Sequence, residues 1–249
     1  MELGLQGKRA LVTGASRGLG RAVARALAHE GCHVAALART ERDLQSLIEE
    51  MGGNTHSYYA CDLTAPGAVA EALSHVKQNV PFDVVIHALG GSGTARDPLS
   101  SWQEWNHALY FNAGVAIEIN NHVIPSMKEN KWGRVVHISS ISGEHLRGNP
   151  LYATAKSFLT NYATVLGRSL AEHGVVVSSV LPGAFAFPGS HWDSVARQEP
   201  EKMKTFLEQH MARGKIGSVD EIVPFVLLLA SEHATFAQGA IINVDGGTK

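Results

Sequence analysis

The sequence predicts an α/β fold in which one seven-stranded parallel sheet is doubly wound, with helices on both faces. Short apolar runs of strand length alternate with longer segments of helical period along the whole chain. The runs are apolar at nearly every position, as expected of strands that are covered on both faces. No linker, internal repeat or shift in composition divides the 249 residues, so we expect a single domain spanning 1–249.

The strands and helices are expected in regular alternation. The expected strands are RALVTG, CHVAALA, HSYYACD, FDVVIHA, GRVVHIS, VVVSSVLP and AIINV. The expected helices cover 18–30, the forties, 66–78, 102–130, 150–173 and 219–231. This rhythm is typical of parallel strands that are joined by helical crossovers.

One connection is much longer than a strand-to-helix loop needs to be. Residues 187–213 are polar and mostly of helical pattern, and they follow the carboxyl end of the sixth strand. A long insertion at this place is typical of a substrate lid. The alternative is a surface helix without a role in the site.

The composition argues against two classes of partner. The 21 lysines and arginines are balanced by 23 aspartates and glutamates, so we expect no nucleic-acid partner. The longest apolar stretch, VPFVLLLA at 223–230, is too short to cross a bilayer, so we expect no membrane partner. Cys32 and Cys61 lack CxxC or Cys/His spacing, which predicts buried thiols, no metal site and a cytoplasmic protein.

A glycine-rich turn follows the first strand. In LVTGASRGLGRAVARAL the chain passes from strand to helix across Gly14, Gly18 and Gly20. Glycines allow a tight turn there and let a pyrophosphate approach backbone N–H groups at the start of the helix. A turn glycine followed by a helix cap is the alternative, but the position on the first strand of a βαβ unit favours a dinucleotide site.

The end of the second strand bears on which nicotinamide cofactor is used. A carboxylate there would bind a ribose 2′-hydroxyl, but Ala38 occupies the place, followed by Arg39 and Thr40. The guanidinium of Arg17, within the first turn, can reach the same region. These residues favour NADP(H) over NAD(H), although Arg39 could also be an ordinary surface arginine.

Tyr152 and Lys156 form a candidate acid-base pair. Four residues separate them, so on a helix both side chains lie on one face. A phenol with a pKa of about 10 is a weak catalyst at neutral pH, but a nearby ammonium and an oxidised nicotinamide would lower that pKa. Taken alone, the pair could also be part of an exposed helix face.

Several separated motifs resemble those of the short-chain dehydrogenase/reductase family. The glycine spacing TGxxxGxG occurs as TGASRGLG, YxxxK occurs as YATAK, and GAIINVDGG stands near the end of the chain. They occur in the family's order and span essentially the whole chain. The resemblance implies a Rossmann fold and hydride transfer between nicotinamide C4 and a carbonyl carbon.

The resemblance also assigns roles to residues. The implied catalytic set is Asn112, Ser140, Tyr152 and Lys156. Tyr152 would exchange the proton, Ser140 would orient the substrate oxygen, and Lys156 would hold the nicotinamide ribose. Asn112 would distort its helix and hold a water that relays protons to the lysine. The implied cofactor-binding residues are Gly14, Ser16, Arg17, Gly18, Leu19, Gly20, Arg39, Thr40, Asp62, Leu63, Ala88, Leu89, Gly90, Tyr152, Lys156, Pro182, Gly183 and Phe185.

Two of these assignments have alternatives. Ser139 directly precedes Ser140, and Ser140 is preferred because it lies seven residues after Gly133, as in the family's pattern. Asp62 resembles the family's adenine-contacting aspartate, but it could equally cap the following turn.

The chain departs from the family pattern at two places. Phe187 stands where the family has a threonine that contacts the nicotinamide carboxamide, so this contact is in doubt. The family's NNAG is replaced by HALG at 87–90, with Gly91 added. We interpret this second glycine turn as the far wall of the dinucleotide site. His87 is interpreted as a buried structural residue that replaces an asparagine's hydrogen bonds to neighbouring loops.

The substrate is less well defined by the sequence. The loops and the lid offer Arg96, His145, Arg147, His191, Trp192 and Arg197. These side chains favour a polar or anionic small molecule; the alternative is that they are only solvated surface groups. Within the family the chain most resembles 3-oxoacyl-acyl-carrier-protein reductases. Reduction of a sugar-derived or other polar ketone is the alternative, and a catalytically silent NADP-binding regulator is a third.

The family resemblance also implies a homo-oligomer. Its members commonly form tetramers through the long helices of the fourth and fifth crossovers and through the last strand. We therefore expect a homotetramer or a homodimer. A carrier-protein partner would need a basic patch near these helices, and Lys128, Lys131 and His173 provide only a modest one.

Overall fold

The computed structural model describes residues 1–77 and 80–249, without the side chain of Lys77. Its main sheet has seven parallel strands in the order β3-β2-β1-β4-β5-β6-β9. The predicted α/β class and strand count are confirmed. The strands are β1 (Arg9–Thr13), β2 (His33–Ala38), β3 (Ser57–Ala60), β4 (Val84–His87), β5 (Gly133–Ile138), β6 (Val175–Pro182) and β9 (Ile241–Val244).

The helices cover the two faces of the sheet. They are α1 (Gly18–His29), α2 (Glu41–Met51), α3 (Ala68–Lys77), α4 (Trp102–Leu109), α5 (Val115–Glu129), α6 (Ile141–His145), α7 (Pro150–Leu170), α8 (His191–Gln198), α9 (Pro200–His210) and α10 (Val223–Ala230). Helices α1, α2 and α10 share one apolar cluster, and α3, α5 and α7 share another. Successive residues of β1 point to opposite faces of the sheet, so Val12 lies in the first cluster and Leu11 in the second. The fold is therefore a single three-layer Rossmann domain.

Most helix boundaries lie within three residues of the predictions, two expected helices are divided, and one boundary is not described. The expected helix 102–130 is divided by a π turn at Tyr110–Gly114. The expected end of the third helix at residue 78 lies outside the described residues. Residues 219–231 form a short 3-10 turn followed by α10 rather than one helix.

Two small features were not predicted. Strands β7 (Phe185–Ala186) and β8 (Gly217–Ser218) form a parallel pair that joins the two ends of the long connection. Helix α6 is a single short turn directly after β5. Both are too short to carry a periodic pattern in the sequence.

The strand order reverses direction between β1 and β4. In open α/β sheets the crevice at the carboxyl ends of such neighbouring strands is the usual ligand site. The loops after β1 and β4 are the two glycine turns. The topology therefore brings both turns to one opening.

Three features of the described part of the chain concern the expectations about membranes, metals and cysteines. No helix within 1–77 and 80–249 has the length and hydropathy to cross a membrane. Over the same residues, no group of three or more His, Cys, Asp or Glu side chains is placed to hold a metal ion. Both cysteines are free, but only Cys32 is buried; Cys61 is half-buried because it borders the cavity described below.

Candidate active site

A cavity of about 1190 Å³ opens at the carboxyl ends of the strands. All of the predicted cofactor-binding residues line it, and so do Ser140, Tyr152 and Lys156 of the predicted catalytic set. Its volume exceeds the roughly 300–1,000 Å³ of most small-molecule pockets. The cavity is therefore large enough for a dinucleotide together with a second small ligand.

The first glycine turn has no room for side chains. Gly14 has φ +67°, and a Cβ there would lie 2.8 Å from the carbonyl oxygen of Ala88. A Cβ on Gly20 would lie 2.4 Å from the carbonyl oxygen of Gly14. Helix α1 begins at Gly18, so its free N–H groups face the cavity. The turn has the form of a cradle for a phosphate.

Thr13 connects the two glycine turns. Its Oγ1 accepts hydrogen bonds from the N–H groups of Ala88 and Leu89, each at 3.2 Å. The side chain is fully buried at the end of β1. The sequence reasoning did not single out Thr13, although it is the first residue of the TGASRGLG motif.

One end of the cavity, which we call the arginine end, is lined by two arginines. Arg17 and Arg39 are exposed, line the cavity and form no ion pair within the described residues. By contrast, the guanidinium of nearby Arg21 is held by Glu50 at 2.6 Å. Asp43 also lines this end, so the region is not purely cationic.

Asp62 borders the same end and also caps a turn. Its Oδ1 accepts hydrogen bonds from the Thr64 N–H at 2.9 Å and the Thr64 hydroxyl at 2.7 Å. These two bonds keep the pKa of Asp62 below its usual value. The two interpretations of Asp62 are therefore compatible, since the capped carboxylate still faces the cavity.

The second glycine turn is held by Asn112. The Asn112 side chain accepts from the Gly91 N–H at 3.0 Å and donates to the Gly91 carbonyl at 3.1 Å. From its place in the π turn, it also donates to the carbonyl of Ala108 in α4 at 3.0 Å. Asn112 lies behind the cavity wall rather than on it, and the Gly90 backbone passes directly in front.

Lys156 is buried beneath Gly90. A Cβ on Gly90 would lie 2.9 Å from its Nζ. The Nζ donates to the Ile138 carbonyl at 2.8 Å. Because the side chain is only 4% exposed, burial lowers the pKa of Lys156 to about 7.

Tyr152 faces the cavity from the same helix, α7. Its ring centroid lies 5.8 Å from the Lys156 Nζ. Burial raises the pKa of Tyr152, and a hydrogen bond with Ser140 opposes that rise. The protein groups alone therefore do not lower this pKa as the sequence argument expected, because burial disfavours the phenolate and also weakens the charge on Lys156.

The two adjacent serines have different environments. The Ser139 hydroxyl is buried and shares hydrogen bonds with the Lys156 carbonyl at 2.9 Å and the Thr160 hydroxyl at 2.7 Å. Ser140 caps α6, where its Oγ accepts from the Ser142 N–H at 3.1 Å. The Ser139 hydroxyl is committed to α7, and Ser140 is the serine that contacts Tyr152. This arrangement favours Ser140 as the substrate-facing serine.

The loop and lid residues that were expected to line the substrate opening do so only in part. His145, Arg147, His191 and Trp192 line the cavity, but Arg96 and Arg197 do not. Arg197 is on the exposed side of α8, where it pairs with Asp193 at 2.6 Å one helical turn away. Arg96 lies on an exposed part of its loop. The prediction that Arg96 and Arg197 line the cavity is therefore wrong.

His87 is buried, but its hydrogen bond does not go to a loop. Its Nε2 lies 2.8 Å from Oδ1 of Asn120 on α5, and its ring stacks on His137 of β5 with centroids 4.6 Å apart. Asn120 also donates to the hydroxyl of Tyr162 on α7. The bond runs to a helix because the side chain at this register of β4 points into the layer that holds α5.

Burial keeps both histidines neutral. It lowers the pKa of His87 to about 4 and that of His137 well below its usual value. The Nδ1 atoms of both rings are buried without a hydrogen-bond partner among the described residues. The pair therefore forms a neutral polar layer beneath the second glycine turn.

The motifs, their order and the fold agree with a comparison against protein families. The chain matches the short chain dehydrogenase family model over residues 8–197. The protein belongs to the short chain dehydrogenase family. As a member, it is an NAD(P)-dependent oxidoreductase that acts on hydroxyl or keto groups.

Curated and solved relatives of this short chain dehydrogenase cover nearly its full length. It is 29% identical to a 3-oxoacyl-[acyl-carrier-protein] reductase from Pseudomonas aeruginosa, over 98% of both chains. A 3-oxoacyl (acyl-carrier-protein) reductase from Agrobacterium tumefaciens, solved with NADP bound, is 28% identical with a TM-score of 0.91, over 99% and 96% of the two chains. A candidate NAD(P)-dependent gluconate 5-dehydrogenase from Beutenbergia cavernae, with NADP at low occupancy, is 26% identical with a TM-score of 0.89, over 99% and 98%.

Several lining residues of this short chain dehydrogenase were not predicted. Phe111, Phe206, His210 and Thr248 line the cavity at the lid end. Phe206 and His210 stand one helical turn apart in FLEQH, inside the predicted lid, so their spacing was the available signal. Phe111 and Thr248 lie in other segments, and only the fold brings them to the lid.

Proposed function

We propose that this short chain dehydrogenase uses NADPH to reduce a ketone to a secondary alcohol. The observation that carries the proposal is that Ser140, Tyr152 and Lys156 share one cavity with the glycine turns. When bound, the cofactor supplies a hydride from C4 of its nicotinamide ring. The chain supplies the position, the electrostatic environment and the proton.

The residues present fit a dinucleotide. Because Gly14 and Gly20 have no Cβ, the backbone can pack closely in this turn. The start of α1 then offers free N–H groups to a pyrophosphate. Lys156, below Gly90, is placed to hold the hydroxyls of the nicotinamide ribose. Asn112 would position this region by fixing Gly91.

The proton is assigned to the Tyr152 hydroxyl. Because burial raises the pKa of Tyr152, the phenol is protonated at neutral pH and can give its proton to the carbonyl oxygen as the hydride arrives. Ser140 would donate a hydrogen bond to the same oxygen.

We assign the cofactor as NADP(H) because of Arg17 and Arg39. Their guanidinium groups line the arginine end and form no ion pair within the described residues, so they are available to a 2′-phosphate. The NADP-bound relative from Agrobacterium tumefaciens supports this choice. Titration of the protein with NADPH and NADH tests it; equal dissociation constants would contradict it.

A 3-oxoacyl thioester is the first candidate substrate, because the curated relatives include 3-oxoacyl reductases at 29% identity over the full chain. A sugar-derived polar ketone is the second, supported by the gluconate 5-dehydrogenase relative. The decisive experiment follows NADPH absorbance with a panel of 3-oxo thioesters, 3-oxo esters, diketones and keto-sugars. Binding of NADPH without turnover of any carbonyl would favour a catalytically silent regulator.

We also propose that the protein is a cytoplasmic homotetramer or homodimer. Phe158 and Val165 on α7 are 50% and 66% exposed, and Ile241 on β9 is 48% exposed. These side chains lie on the helix of the fifth crossover and on the last strand, where a second copy would cover them. Light scattering after size-exclusion chromatography measures the mass; a monomer at micromolar concentration would contradict the proposal.

A further inference from the structure

The lid end of the cavity is walled by aromatic side chains. Phe185, Phe187, Trp192 and Phe206, which we call the aromatic wall, all line the cavity and are half-buried. They come from β7, the segment after it, α8 and α9. Phe111, from the π turn, lines the cavity as well.

The rings of the aromatic wall lie close to one another. The Trp192 and Phe206 centroids are 4.0 Å apart with a 36° angle between the planes. Phe185 and Phe187 are 6.1 Å apart. The Phe187 ring also covers Gly18, since a Cβ there would meet it at 2.7 Å. Phe187 therefore lies over the start of α1, beside the cofactor cradle, whereas Trp192 and Phe206 belong to the lid.

Each lid helix is anchored by a buried side chain other than these rings. Val195 on α8 and Met203 on α9 are the buried side chains that anchor the two helices, at 2% and 9% exposure. Trp192 and Phe206 instead keep part of their ring surface toward the cavity. Exposed aromatic surface that lines a cavity is typical of a ligand site.

The charged groups of the cavity lie mostly elsewhere. Its lining carboxylates among the described residues are Asp43 and Asp62, both at the arginine end. At the lid end, Arg147 is hydrogen-bonded to the carbonyl of Lys249. A ligand between the lid and Tyr152 therefore meets ring faces and imidazoles and meets no carboxylate that could bind sugar hydroxyls.

We infer that the substrate is a ketone that carries an aromatic ring. The ring would lie against Trp192 and Phe206 while Ser140 and Tyr152 hold the oxygen. Contact between aromatic rings adds to the free energy gained by burying their surface. The inference rests on the proposed function: hydride goes from NADPH to the carbonyl carbon, a proton goes from Tyr152 to the oxygen, and NADP⁺ and an aryl-substituted alcohol are formed.

The test compares two 3-oxo esters that differ only in one substituent. Ethyl benzoylacetate carries a phenyl group where ethyl acetoacetate carries a methyl group, and ethyl 3-cyclohexyl-3-oxopropanoate controls for size. With NADPH, we expect kcat/KM for the phenyl ester to exceed that for the methyl ester by about tenfold or more, mainly through KM. The cyclohexyl ester should fall between them.

Variants locate the preference. Trp192→Ala should reduce the phenyl-to-methyl ratio of kcat/KM by about tenfold, and Trp192→Phe should retain most of it. Trp102→Ala is the matched control, because Trp102 is 74% exposed and does not line the cavity. Equal or better turnover of the methyl ester, or a ratio unchanged in Trp192→Ala, would overturn the inference and leave the proposed function standing.

A binding measurement separates the two failures. If NADPH binds but no carbonyl compound of the full panel is reduced, the proposed function fails. Calorimetric titration of the protein–NADP⁺ complex with ethyl 3-hydroxy-3-phenylpropanoate then tests whether the site binds an aromatic ligand, independently of turnover. Binding that Trp192→Ala weakens would support an aromatic ligand, and no binding, or binding that is insensitive to this change, would overturn it.

Discussion

The two ends of the cavity are built in different ways. At the glycine turns the shape is set by the backbone, by positions without room for a Cβ, and by hydrogen bonds that backbone N–H groups donate to Thr13 and Asn112. At the lid end it is set by large side chains on two short helices and a two-residue strand. The first construction tolerates almost no substitution, whereas the second can change its ligand by exchanging side chains.

The largest expected effect separates chemistry from cofactor binding. Tyr152→Phe removes the proton donor and keeps the ring, so kcat should fall by about 10²–10⁴-fold. The dissociation constant of NADPH should change by less than about threefold, because the glycine turns are untouched. Stopped-flow turnover and fluorescence titration measure the two quantities. Retained turnover would remove Tyr152 from the proton step.

The second effect concerns the pair of buried histidines, His87 and His137, beneath the second glycine turn. His87 is neutral in the fold with a pKa of about 4, whereas an unfolded histidine has a pKa of 6.5. The unfolded chain therefore binds more protons between these values, and stability is full above pH 6.5 and falls as the pH drops toward 4. The loss attributable to His87 should be about 3 kcal/mol.

Denaturant unfolding at several pH values measures that loss. His87→Asn keeps a polar side chain opposite Asn120 and lacks the titration, so its stability should decrease less steeply over the same pH range. Parallel curves for the two proteins would contradict the assignment of a neutral buried His87. The difference between the curves excludes the contribution of carboxylates, which both proteins share.

The third effect isolates crowding at the first glycine turn. Gly14 and Gly189 have similar positive φ values, +67° and +77°, but only Gly14 has neighbours within 4 Å of an added Cβ. Gly14→Ala should lose about 2 kcal/mol more stability than Gly189→Ala, and it should also lose NADPH affinity. Equal losses in the two variants would mean that backbone strain alone limits this turn.

The smallest effect concerns the arginine end. Arg39→Leu removes one guanidinium and should weaken NADPH binding by about tenfold, with little change for NADH. Parallel titrations with the two cofactors measure the ratio. An equal effect on both would place Arg39 outside the 2′-phosphate site, and Arg17→Leu would then be the next variant.

The sequence predicted the residues at the glycine-turn end of the cavity better than those at the lid end. Glycine spacing, strand order and the Tyr152/Lys156 pair depend on local backbone rules, and every predicted cofactor-binding residue lines the cavity. Arg96 and Arg197 failed as lining residues because side-chain direction in a loop or on a short helix depends on packing. Phe206 was missed for the same reason.

Two other features depended on contacts between distant segments. His137 stands in GRVVHIS, but its pairing with His87 requires the register of β4 against β5. The pKa of Tyr152 depends on how deeply α7 is buried, which no spacing reveals. The π turn contains Asn112, whose side chain bonds to Gly91 and Ala108, so it involves a contact with a segment 21 residues away that helical periodicity does not reveal.

The π turn at Tyr110–Gly114 has a consequence for chain length. A π turn contains one residue more than a regular helical turn, so this helix pair carries one extra residue. Deleting a residue within the turn would restore a regular helical turn and keep α4 and α5 in nearly the same relative orientation, because only the extra residue is lost. The wider turn carries Asn112, so a regular turn would shift this side chain away from Gly91 and Ala108. Homologous chains that keep this site should therefore keep both the asparagine and the length of this segment.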